Sequence, residues 1–390
     1  MMVDGGAIDV GERQASQLDD GSVGRHRSRL HVVEECSEAE FVHPVIVPRR
    51  RRNGPCDQNE AQNEAQCSTT APVVLAVMAT SAATRVGFFG PFGTFTQQAL
   101  LSQSDLAEAE HLAYRTVPDV LDAVERGEVD VGVVPIENSI EGMVNFTQDA
   151  LAFDHELLIQ REIVIDIEHC LLAKPGVELA DVIEIFSIPV ATAQCHHYLR
   201  EQLPDAEIRA AYSTADAARL VSESDASNAA ALGPRVAADV YGLDVLAADI
   251  ADHDGNQTRF VVVATEGVPA PTGNDKTALV IYQRADEPGS LVSILQEFTA
   301  RRINLSNLTS RPTKAGGLGD YCFIVYAEAH VADELLADTM RALHAKQGGV
   351  KFLGSYPAAD DQADATREHA DGRWREADDW VRDIQRSVRS

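Results

Sequence analysis

The sequence predicts an α/β fold followed by a smaller βαββαβ unit. From Arg85 to Thr265, short apolar runs alternate with helical stretches, which is typical of mostly parallel sheets covered by helices. A region of roughly 180 residues forms one large domain or two small lobes. The runs that we interpret as strands are RVGFF (85–89), VGVV (131–134), IEIF (183–186), EIRAAY (207–212), AAALG (229–233) and RFVVV (259–263).

Helical stretches lie between these strands, for example VPDVLDAVERG at 117–127 and VATAQCHHYLREQL at 190–203. HELLIQREIVIDIEHCLL, residues 155–172, is a long alternating run in the middle of the region. Its length suits an extended crossover between two lobes better than a single helix.

A compact second unit follows a linker rich in Pro and Gly at 266–275. Its pattern gives the order βαββαβ, which is the ferredoxin-like arrangement. Its predicted elements are a strand at 276–283, a helix at 288–302, strands at 303–312 and 320–329, a helix at 331–346 and a strand at 350–357.

The two flanks of this folded region differ from it in composition. Residues 1–83 hold a four-arginine run and show no sustained hydrophobic period, so we expect them to be disordered. The charged tail, residues 358–390, places Trp380, Ile384 and Val388 at helical spacing, which predicts a short surface helix.

The charge balance excludes some classes of partner. Acidic residues number 61 and basic residues 33, so the formal net charge is −28 and the chain repels nucleic acid and anionic membrane surfaces. Six cysteines without a CxxC pair indicate a reducing compartment, and no apolar run approaches the ~20 residues of a membrane span. We therefore expect a cytoplasmic protein without nucleic-acid or membrane partners.

Small polar residues follow two of the predicted strands, where open α/β sheets bind ligands. In GPFGTF (90–95) the glycines allow close backbone approach and Thr94 can cap the next helix, although a purely structural turn has the same pattern. In VPIENSIEG (134–142) the predicted strand ends at Val134, and Glu137, Asn138 and Ser139 then present three polar side chains in a row. They predict either a helix cap or a ligand loop.

Two further segments place a hydroxyl between a strand and a helix. SIPVATAQ ends at Gln194, and YSTADAA contains Ser213 and Thr214. Helix starts that face one cleft would bind a carboxylate, although each is also an ordinary cap. His196 and His197 follow Cys195, but adjacent helical residues point in different directions, so we expect no metal site.

The stretch DHDGNQTRFVVV opens a strand with Thr258, Arg259 and Phe260. Strand alternation sends Thr258 and Phe260 to one face and Arg259 to the other. Thr258 and Phe260 would then line a cleft while Arg259 anchors the loop or a neighbouring Asp. An ordinary strand edge would have the same residues.

Taken in order, these segments resemble the prephenate dehydratase family. GPFGTF, VPIENSIEG, IPVATAQC, STADAA and NQTRFVVV are similar to five motifs of that family. The C-terminal unit resembles an ACT regulatory domain, and the resemblance covers residues 85 to 357. It implies a two-lobed catalytic domain like periplasmic binding proteins at 84–265, with the substrate between the lobes, and an ACT domain at 276–357.

The resemblance also implies an activity: decarboxylating dehydration of prephenate to phenylpyruvate, without metal or other cofactor. The threonine of the family's Thr-Arg-Phe motif is regarded as essential, which corresponds to Thr258. We expect Thr258 to hydrogen-bond the departing hydroxyl, since a threonine hydroxyl is a poor acid. The residues expected to bind or surround the substrate are Thr94, Asn138, Ser139, Gln194, Ser213, Thr214 and Phe260.

Feedback by L-phenylalanine at ACT interfaces is a further implication, and with it a homo-oligomer, a dimer or tetramer, formed through the ACT domains. Ser290 stands where the family has alanine and Thr309 where it has an acidic residue, so either could weaken this control. The expected allosteric residues are Gly289, Ser290, Leu291, Val292, Leu308, Ser310, Arg311 and Pro312.

Three other functions share some of these features. Arogenate dehydratase has the same chemistry on the amino-acid form of the substrate. A non-catalytic solute-binding protein would have the two lobes without the C-terminal unit. An amino-acid sensor would have lost activity, against which the intact Thr258-Arg259-Phe260 argues.

Overall fold

The computed structural model describes residues 85–284, 287–313, 320–359, 376–377 and 379–387. The expectations for residues 1–83 and for Val388 lie outside the described residues. Within the described ranges, no helix combines the length and the apolar character that a membrane span requires.

The region from Arg85 to Ala264 contains eleven strands and eight α-helices. Their bounds are β1 (Arg85–Phe89), α1 (Phe95–Leu101), α2 (Ser104–Ala107), β2 (Glu110–Tyr114), α3 (Val117–Glu125), β3 (Val131–Asn138), β4 (Gly142–Met143), α4 (Asn145–Asp149), β5 (Leu158–Asp166), β6 (Cys170–Ala173), β7 (Glu184–Ser187), α5 (Pro189–Gln194), α6 (His196–Gln202), β8 (Glu207–Ala210), α7 (Thr214–Glu223), β9 (Ala229–Gly233), α8 (Arg235–Tyr241), β10 (Asp244–Ala247) and β11 (Gln257–Ala264). A π-helical turn, Ala150–Asp154, continues α4, and a short 3-10 helix spans Leu179–Asp181.

These elements form two lobes, each built on one mixed sheet. The first sheet has the order β2-β1-β3-β11-β5, with β4 paired to β3, and the second has the order β10-β6-β9-β7-β8. The chain passes from the first sheet to the second between β5 and β6, and it returns between β10 and β11. The predicted α/β class and the two lobes are therefore confirmed, and the run at 155–172 is the crossover that its length indicated.

Fewer strand pairs in these sheets are parallel than the strand-helix alternation predicted. In each sheet three strands are parallel neighbours, β2-β1-β3 and β9-β7-β8. The crossover strands β5, β6, β10 and β11 pair antiparallel. An apolar run has the same pattern in either direction, so periodicity alone could not reveal the difference.

The single helix predicted at 190–203 is two helices. Cys195 has φ −115° and ψ 18°, outside the helical region, and separates α5 from α6. Gln194 consequently lies at the end of a short helix, where its side chain is available to groups beyond the helix.

The C-terminal unit has the predicted βαββαβ order. Its elements are β12 (Asp275–Tyr282), α9 (Ser290–Ala300), β13 (Leu305–Pro312), β14 (Tyr321–Ala327), α10 (Glu334–Lys346) and β15 (Gly349–Pro357). They form an antiparallel sheet in the order β13-β14-β12-β15. Beyond this unit, residues 379–386 are helical, and Trp380 and Ile384 are exposed, as expected for a surface helix.

The C-terminal sheet is buried on both faces. Ile294, Phe298 and Leu336 of its helices cover one face. The other face shares one continuous apolar cluster with the first lobe, in which Val280 and Tyr356 join residues of β5 and β11. The C-terminal unit and the first lobe therefore share a hydrophobic core, in addition to the linker that joins them in sequence.

At Gly354 the backbone of the C-terminal unit lies close to the backbone of the first lobe. The φ of Gly354 is +134°, and a Cβ built there would lie 2.5 Å from the backbone oxygen of Ile159 in β5. Only glycine adopts such a backbone without strain, and the facing backbone has no freedom to move away.

We expect Gly354→Ala to lower the free energy of unfolding by about 2–3 kcal/mol, because the methyl group overlaps backbone in a packed interface. Urea unfolding followed by circular dichroism measures this change. Gly127→Ala is the matched control, since Gly127 also has a positive φ, +68°, but no atom within 4 Å of the built Cβ. The control should lose about 1 kcal/mol. Equal losses would show that the contact with β5 is unimportant.

Candidate active site

Strand β11 places consecutive side chains on opposite faces of the first sheet. Phe260 belongs to the apolar cluster under α1, whereas Val261 belongs to the cluster shared with the C-terminal unit. Thr258 has the parity of Phe260, and Arg259 has the parity of Val261. The alternation deduced from the sequence is therefore present in the structure.

The hydroxyl of Thr258 is held by an amide. Asn138, at the end of β3, lies opposite Thr258 in the sheet, and its Nδ2 donates to Thr258 Oγ1 at 2.9 Å. Because Oγ1 accepts this hydrogen bond, the hydroxyl proton of Thr258 remains to be donated in another direction.

The orientation of the Asn138 amide is fixed by the backbone that follows it. Its Oδ1 accepts from the amides of Ile140 and Glu141, both at 2.9 Å. Backbone N–H groups only donate, so the oxygen must face them and the NH2 must face Thr258. Asn138 caps a turn that leads into β4, so the alternative of a helix cap at Asn138 or Ser139 is wrong.

A chain of hydrogen bonds extends from Asn138 into the second lobe. Asn138 Nδ2 donates to Asn256 Oδ1 at 2.9 Å, and Asn256 Nδ2 donates to Gln194 Oε1 at 3.3 Å. His169 Nε2 lies 2.9 Å from the same Gln194 oxygen. Thr258, Asn138, Asn256, Gln194 and His169 are called the amide cluster below.

The loop before β11 joins both lobes. Ser139 Oγ accepts from the Gln257 amide at 2.9 Å and donates to the Gly255 carbonyl at 3.4 Å. The Asp252 carboxylate accepts from the His197 amide at the start of α6, at 3.0 and 3.1 Å. The Ser139 hydroxyl thus holds this loop in place.

The other predicted substrate residues lie at helix starts. Thr94 Oγ1 accepts from the Gln97 amide at 3.3 Å, and Ser213 Oγ accepts from the Asp216 amide at 2.9 Å, so both are the caps that the sequence allowed. Thr214 is the first residue of α7 and is nearly buried beside β9. Among the described residues, neither Ser213 nor Thr214 is hydrogen-bonded to the amide cluster.

The ring of Phe260 lies in the core. It is 2% exposed and packs with Phe88 and Ile163 below the strand. The structure therefore places the ring in the core of the first lobe, and not on an open wall of the cleft as the sequence had led us to expect.

Arg259 lies in a group of charges on the opposite face. Its Nη1 is 2.6 Å from Glu162 Oε1, and its Nε is 3.3 Å from Glu137 Oε2. Glu162 is 1% exposed and also contacts Lys276 Nζ at 2.8 Å, which belongs to β12 of the C-terminal unit. The predicted anchoring role of Arg259 thus extends to the C-terminal unit, and its acidic partners are glutamates.

A cavity of about 200 Å³ lies beside this group. Side chains from the first sheet and from the C-terminal sheet line it, including Glu137, Arg259, Lys276, Asn307 and Tyr326. The cavity is thus on the face of β11 opposite to Thr258.

Cys195 does not supply a nucleophile. Burial raises the pKa of its thiol to about 12, and the nearby Asp252 carboxylate adds to the shift. The thiol is therefore protonated near neutral pH and is a poor nucleophile. Elsewhere, Asp122, Glu125 and His155 have ligand atoms within 4.8 Å of one another, but these residues belong to α3 and the start of the crossover and not to the amide cluster.

The predicted allosteric residues lie at the start of α9 and along β13, the edge strand of the C-terminal sheet. Gly289 has φ +94° and caps α9, and Ser290 Oγ accepts from Gln283 Nε2 at 3.0 Å. Arg311 forms a two-pronged ion pair with Asp149 of α4, with a Nε–Oδ1 distance of 2.7 Å. The remaining predicted allosteric residues are Leu291, Val292, Leu308, Ser310 and Pro312.

Sequence reasoning did not select Asn256, His169, Glu162 or Lys276. Asn256 was within the motif that drew attention to β11, so its spacing was a usable signal. His169 lies 25 residues from its partner Gln194, and Glu162 lies 114 residues from Lys276. Pairs that are so far apart leave no local pattern.

Two family models and a sequence relative of this chain agree with one another. The family model described as prephenate dehydratase matches residues 86–268, and the model of the ACT domain matches residues 277–345. The prephenate dehydratase of Mycobacterium marinum is 40% identical over 282 residues, which is 70% of this chain and 88% of that protein.

Two solved structures are similar over most of this chain. The prephenate dehydratase of Arthrobacter aurescens in complex with L-Phe has a TM-score of 0.72 and 40% identity, covering 78% of this chain and all of that one. GqqA, described as a quorum quenching acylase, has a TM-score of 0.65 and 27% identity, covering 70% of this chain and 98% of that one.

The charge group around Glu162 leads to a test of stability. We expect Glu162→Gln to lower the free energy of unfolding by about 3 kcal/mol, because it leaves the cations of Arg259 and Lys276 close together without their shared anion. Urea unfolding measures the change. The control is Glu156→Gln, which removes an ion pair with Lys351 at 3.0 Å from a side chain that is 88% exposed. It should lose less than about 1 kcal/mol, and similar losses for both variants would contradict the assigned importance of Glu162.

Proposed function

The chain belongs to the prephenate dehydratase family of carbon–oxygen lyases, and on this premise we propose that Thr258 assists the departure of the substrate hydroxyl. The bond between the ring and its carboxylate breaks and releases CO2, and its electron pair enters the ring. The hydroxyl leaves with the C–O electron pair as hydroxide, which takes up one proton from solvent to become water. The products are phenylpyruvate, CO2 and water, and the gain of an aromatic ring drives the change.

The observation that carries this proposal is the direction of the hydrogen bond between Asn138 and Thr258. Because Oγ1 accepts from the Asn138 NH2, the hydroxyl proton of Thr258 points away from Asn138, where it can meet the oxygen that leaves the substrate. A hydrogen bond that strengthens as negative charge develops on that oxygen lowers the barrier. Thr258 donates a hydrogen bond and is not a full acid, since its own pKa is far above neutral pH.

The substrate carboxylates require donors, which we place on both lobes. Gln194 offers an amide, Ser213 and Thr214 lie at the start of α7, and Thr94 lies at the start of α1. Thr94, Ser213 and Thr214 follow strand ends, the position at which open α/β sheets bind ligands, whereas Gln194 lies at the end of α5. Asn138 and Ser139 use their hydrogen bonds within the protein, so we assign them to holding Thr258 and its loop.

The domain boundaries that fit this function are 84–265 for catalysis and 276–357 for regulation, which the ranges of the two family models support. The described cysteines Cys170, Cys195 and Cys322 are free thiols, which supports a reducing compartment, the cytoplasm.

L-phenylalanine is the regulatory ligand that we propose for the C-terminal unit. The structure from Arthrobacter aurescens is described as a complex with L-Phe, and its sequence is 40% identical to this one. The ion pair between Arg311 and Asp149 and the contact between Lys276 and Glu162 connect the C-terminal unit to the first lobe. A ligand bound at this unit therefore has a physical route to the catalytic strand.

A homo-oligomer through the C-terminal units is consistent with the free edge of their sheet. β13 pairs only with β14 in the described chain, and its side chains alternate between half-buried and exposed. Val292 of α9 is 56% exposed, and Leu308 of β13 is exposed as well. An edge strand with one open side and neighbouring apolar side chains favours pairing with a second copy.

Replacement of Thr258 tests the catalytic proposal. Thr258→Ala should lower kcat by about 100-fold or more, because one donor to a developing oxyanion is worth this much. Thr258→Ser should keep most of the activity, since it retains the hydroxyl. The measurement is phenylpyruvate formed from prephenate, with arogenate as the second substrate to establish preference.

The control for these variants is Thr265→Ala, which removes a threonine hydroxyl just beyond the exposed end of the same strand. It should leave kcat and KM unchanged. Near-normal turnover by a folded Thr258→Ala protein would remove Thr258 from the mechanism.

Titration with L-phenylalanine tests the regulatory proposal. We expect turnover to fall as L-phenylalanine rises, together with a change in sedimentation that reports the oligomer. D-phenylalanine serves as the matched control ligand. If neither turnover nor sedimentation responds to the L form, the C-terminal unit does not bind phenylalanine productively.

A further inference from the structure

His169 occupies an unusual place for an ionisable residue. It lies in the segment where the chain first crosses between the lobes, and it is 3% exposed. Its Nε2 is 2.9 Å from Gln194 Oε1, and the ring of Phe95 packs against it edge-on with centroids 5.5 Å apart. This contact joins His169 to the amide cluster, so the direction of its hydrogen bond bears on the whole cluster.

That direction can be derived from the other end of the amide cluster. The backbone amides after Asn138 fix its oxygen, so its NH2 must donate to Asn256 Oδ1. Asn256 therefore presents its own NH2 to Gln194 Oε1. Since Gln194 presents an oxygen, His169 must carry its proton on Nε2 to make a hydrogen bond there.

The second ring nitrogen leads to the same tautomer independently. His169 Nδ1 is buried and has no hydrogen-bond partner among the described residues. A proton on this atom would be a buried donor without an acceptor, which is costly. Burial also lowers the pKa of His169, with the Gln194 hydrogen bond acting in the opposite direction. The ring is therefore neutral, with its proton on Nε2.

This tautomer determines what Gln194 can offer to a ligand. Its Oε1 accepts from both His169 and Asn256, which uses both of its lone pairs. Gln194 itself is partly exposed, so the group left for the cleft is its NH2. An amide NH2 donates to a carboxylate, and the proposed substrate carries two.

We infer that His169 is a positioning residue for substrate binding: its Nε2–H holds the Gln194 carbonyl inward and so presents the Gln194 NH2 to a substrate carboxylate. This inference rests on the proposed function for the identity of the ligand. His169 acts through Gln194 and does not contact the reacting atoms.

The role predicts a specific kinetic signature. Thr258 is oriented by Asn138, whose amide is fixed by backbone and does not depend on His169. Loss of His169 should therefore spare kcat and raise KM, because Gln194 binds ground state and transition state alike. A general loss of structure would instead lower the active fraction and hence kcat.

Two substitutions separate the hydrogen bond from the shape of the side chain. His169→Leu removes the donor, and we expect KM for prephenate to rise about tenfold or more with kcat within threefold. His169→Gln places an amide NH2 near the position of Nε2, and its KM should stay within threefold of the wild-type value. Equal KM values for both variants, or a fall in kcat alone, would overturn the inference.

A double-mutant cycle tests whether His169 acts through Gln194. In a Gln194→Ala background, His169→Leu should raise KM no further, since the group that it positions is absent. A tenfold rise that persists in this background would assign His169 a separate role and contradict the inference.

The tautomer itself is measurable without turnover. Two-bond 1H–15N NMR of wild-type protein, with His169→Gln to identify the resonance, should show Nε2 protonated and Nδ1 unprotonated at neutral pH. A ring protonated on Nδ1 would refute the role of His169 and leave the proposed function intact. Folded wild-type protein that makes no phenylpyruvate would refute the proposed function instead. The NMR measurement requires only that the wild-type protein and the His169→Gln variant fold.

Discussion

Burial of β11 on both faces is the constraint on which the rest of the structure depends. The strand lies antiparallel between β3 and β5. Phe260 on one face completes the core of the first lobe, and Val261 on the other completes the core shared with the C-terminal sheet. A shift of the strand by one residue would exchange these two sets of side chains, so packing alone fixes its register. The position of Thr258 at its start is set by this packing and not by the site itself.

The site depends on the direction of hydrogen bonds more than on charge. Every member of the amide cluster is a neutral group, and burial keeps His169 neutral as well. In a chain whose net charge is −28, a free cation near the cleft would find many competing carboxylates. Amides avoid this competition, because a backbone-anchored chain of them presents donors whatever the surrounding field. The hydrogen-bond directions are fixed along the whole cluster, from the turn after Asn138 to the ring of His169.

Much of the fold could be predicted from the sequence, because strand runs, helix caps and alternation are local patterns. Residues close in sequence were enough to predict the strand RVGFF and the helix caps at Thr94 and Ser213. They were also enough to predict that Thr258 and Arg259 lie on opposite faces of their strand. The antiparallel crossover strands were not predicted, since periodicity does not encode direction. His169 was missed for a related reason: its meaning comes from a partner in another element. Phe260 shows the limit of alternation, which gave its face but not the depth at which its ring lies.

The ion pairs at Arg259 have a further consequence. Arg259 contacts Glu162, Glu162 contacts Lys276 of the C-terminal sheet, and Thr258 is the covalent neighbour of Arg259. Consecutive Cα atoms are about 3.8 Å apart. A displacement of the C-terminal unit that pulls on Arg259 therefore needs no series of intervening side chains to reach Thr258. The peptide bond itself is the connection, and its partial double-bond character restricts rotation about it.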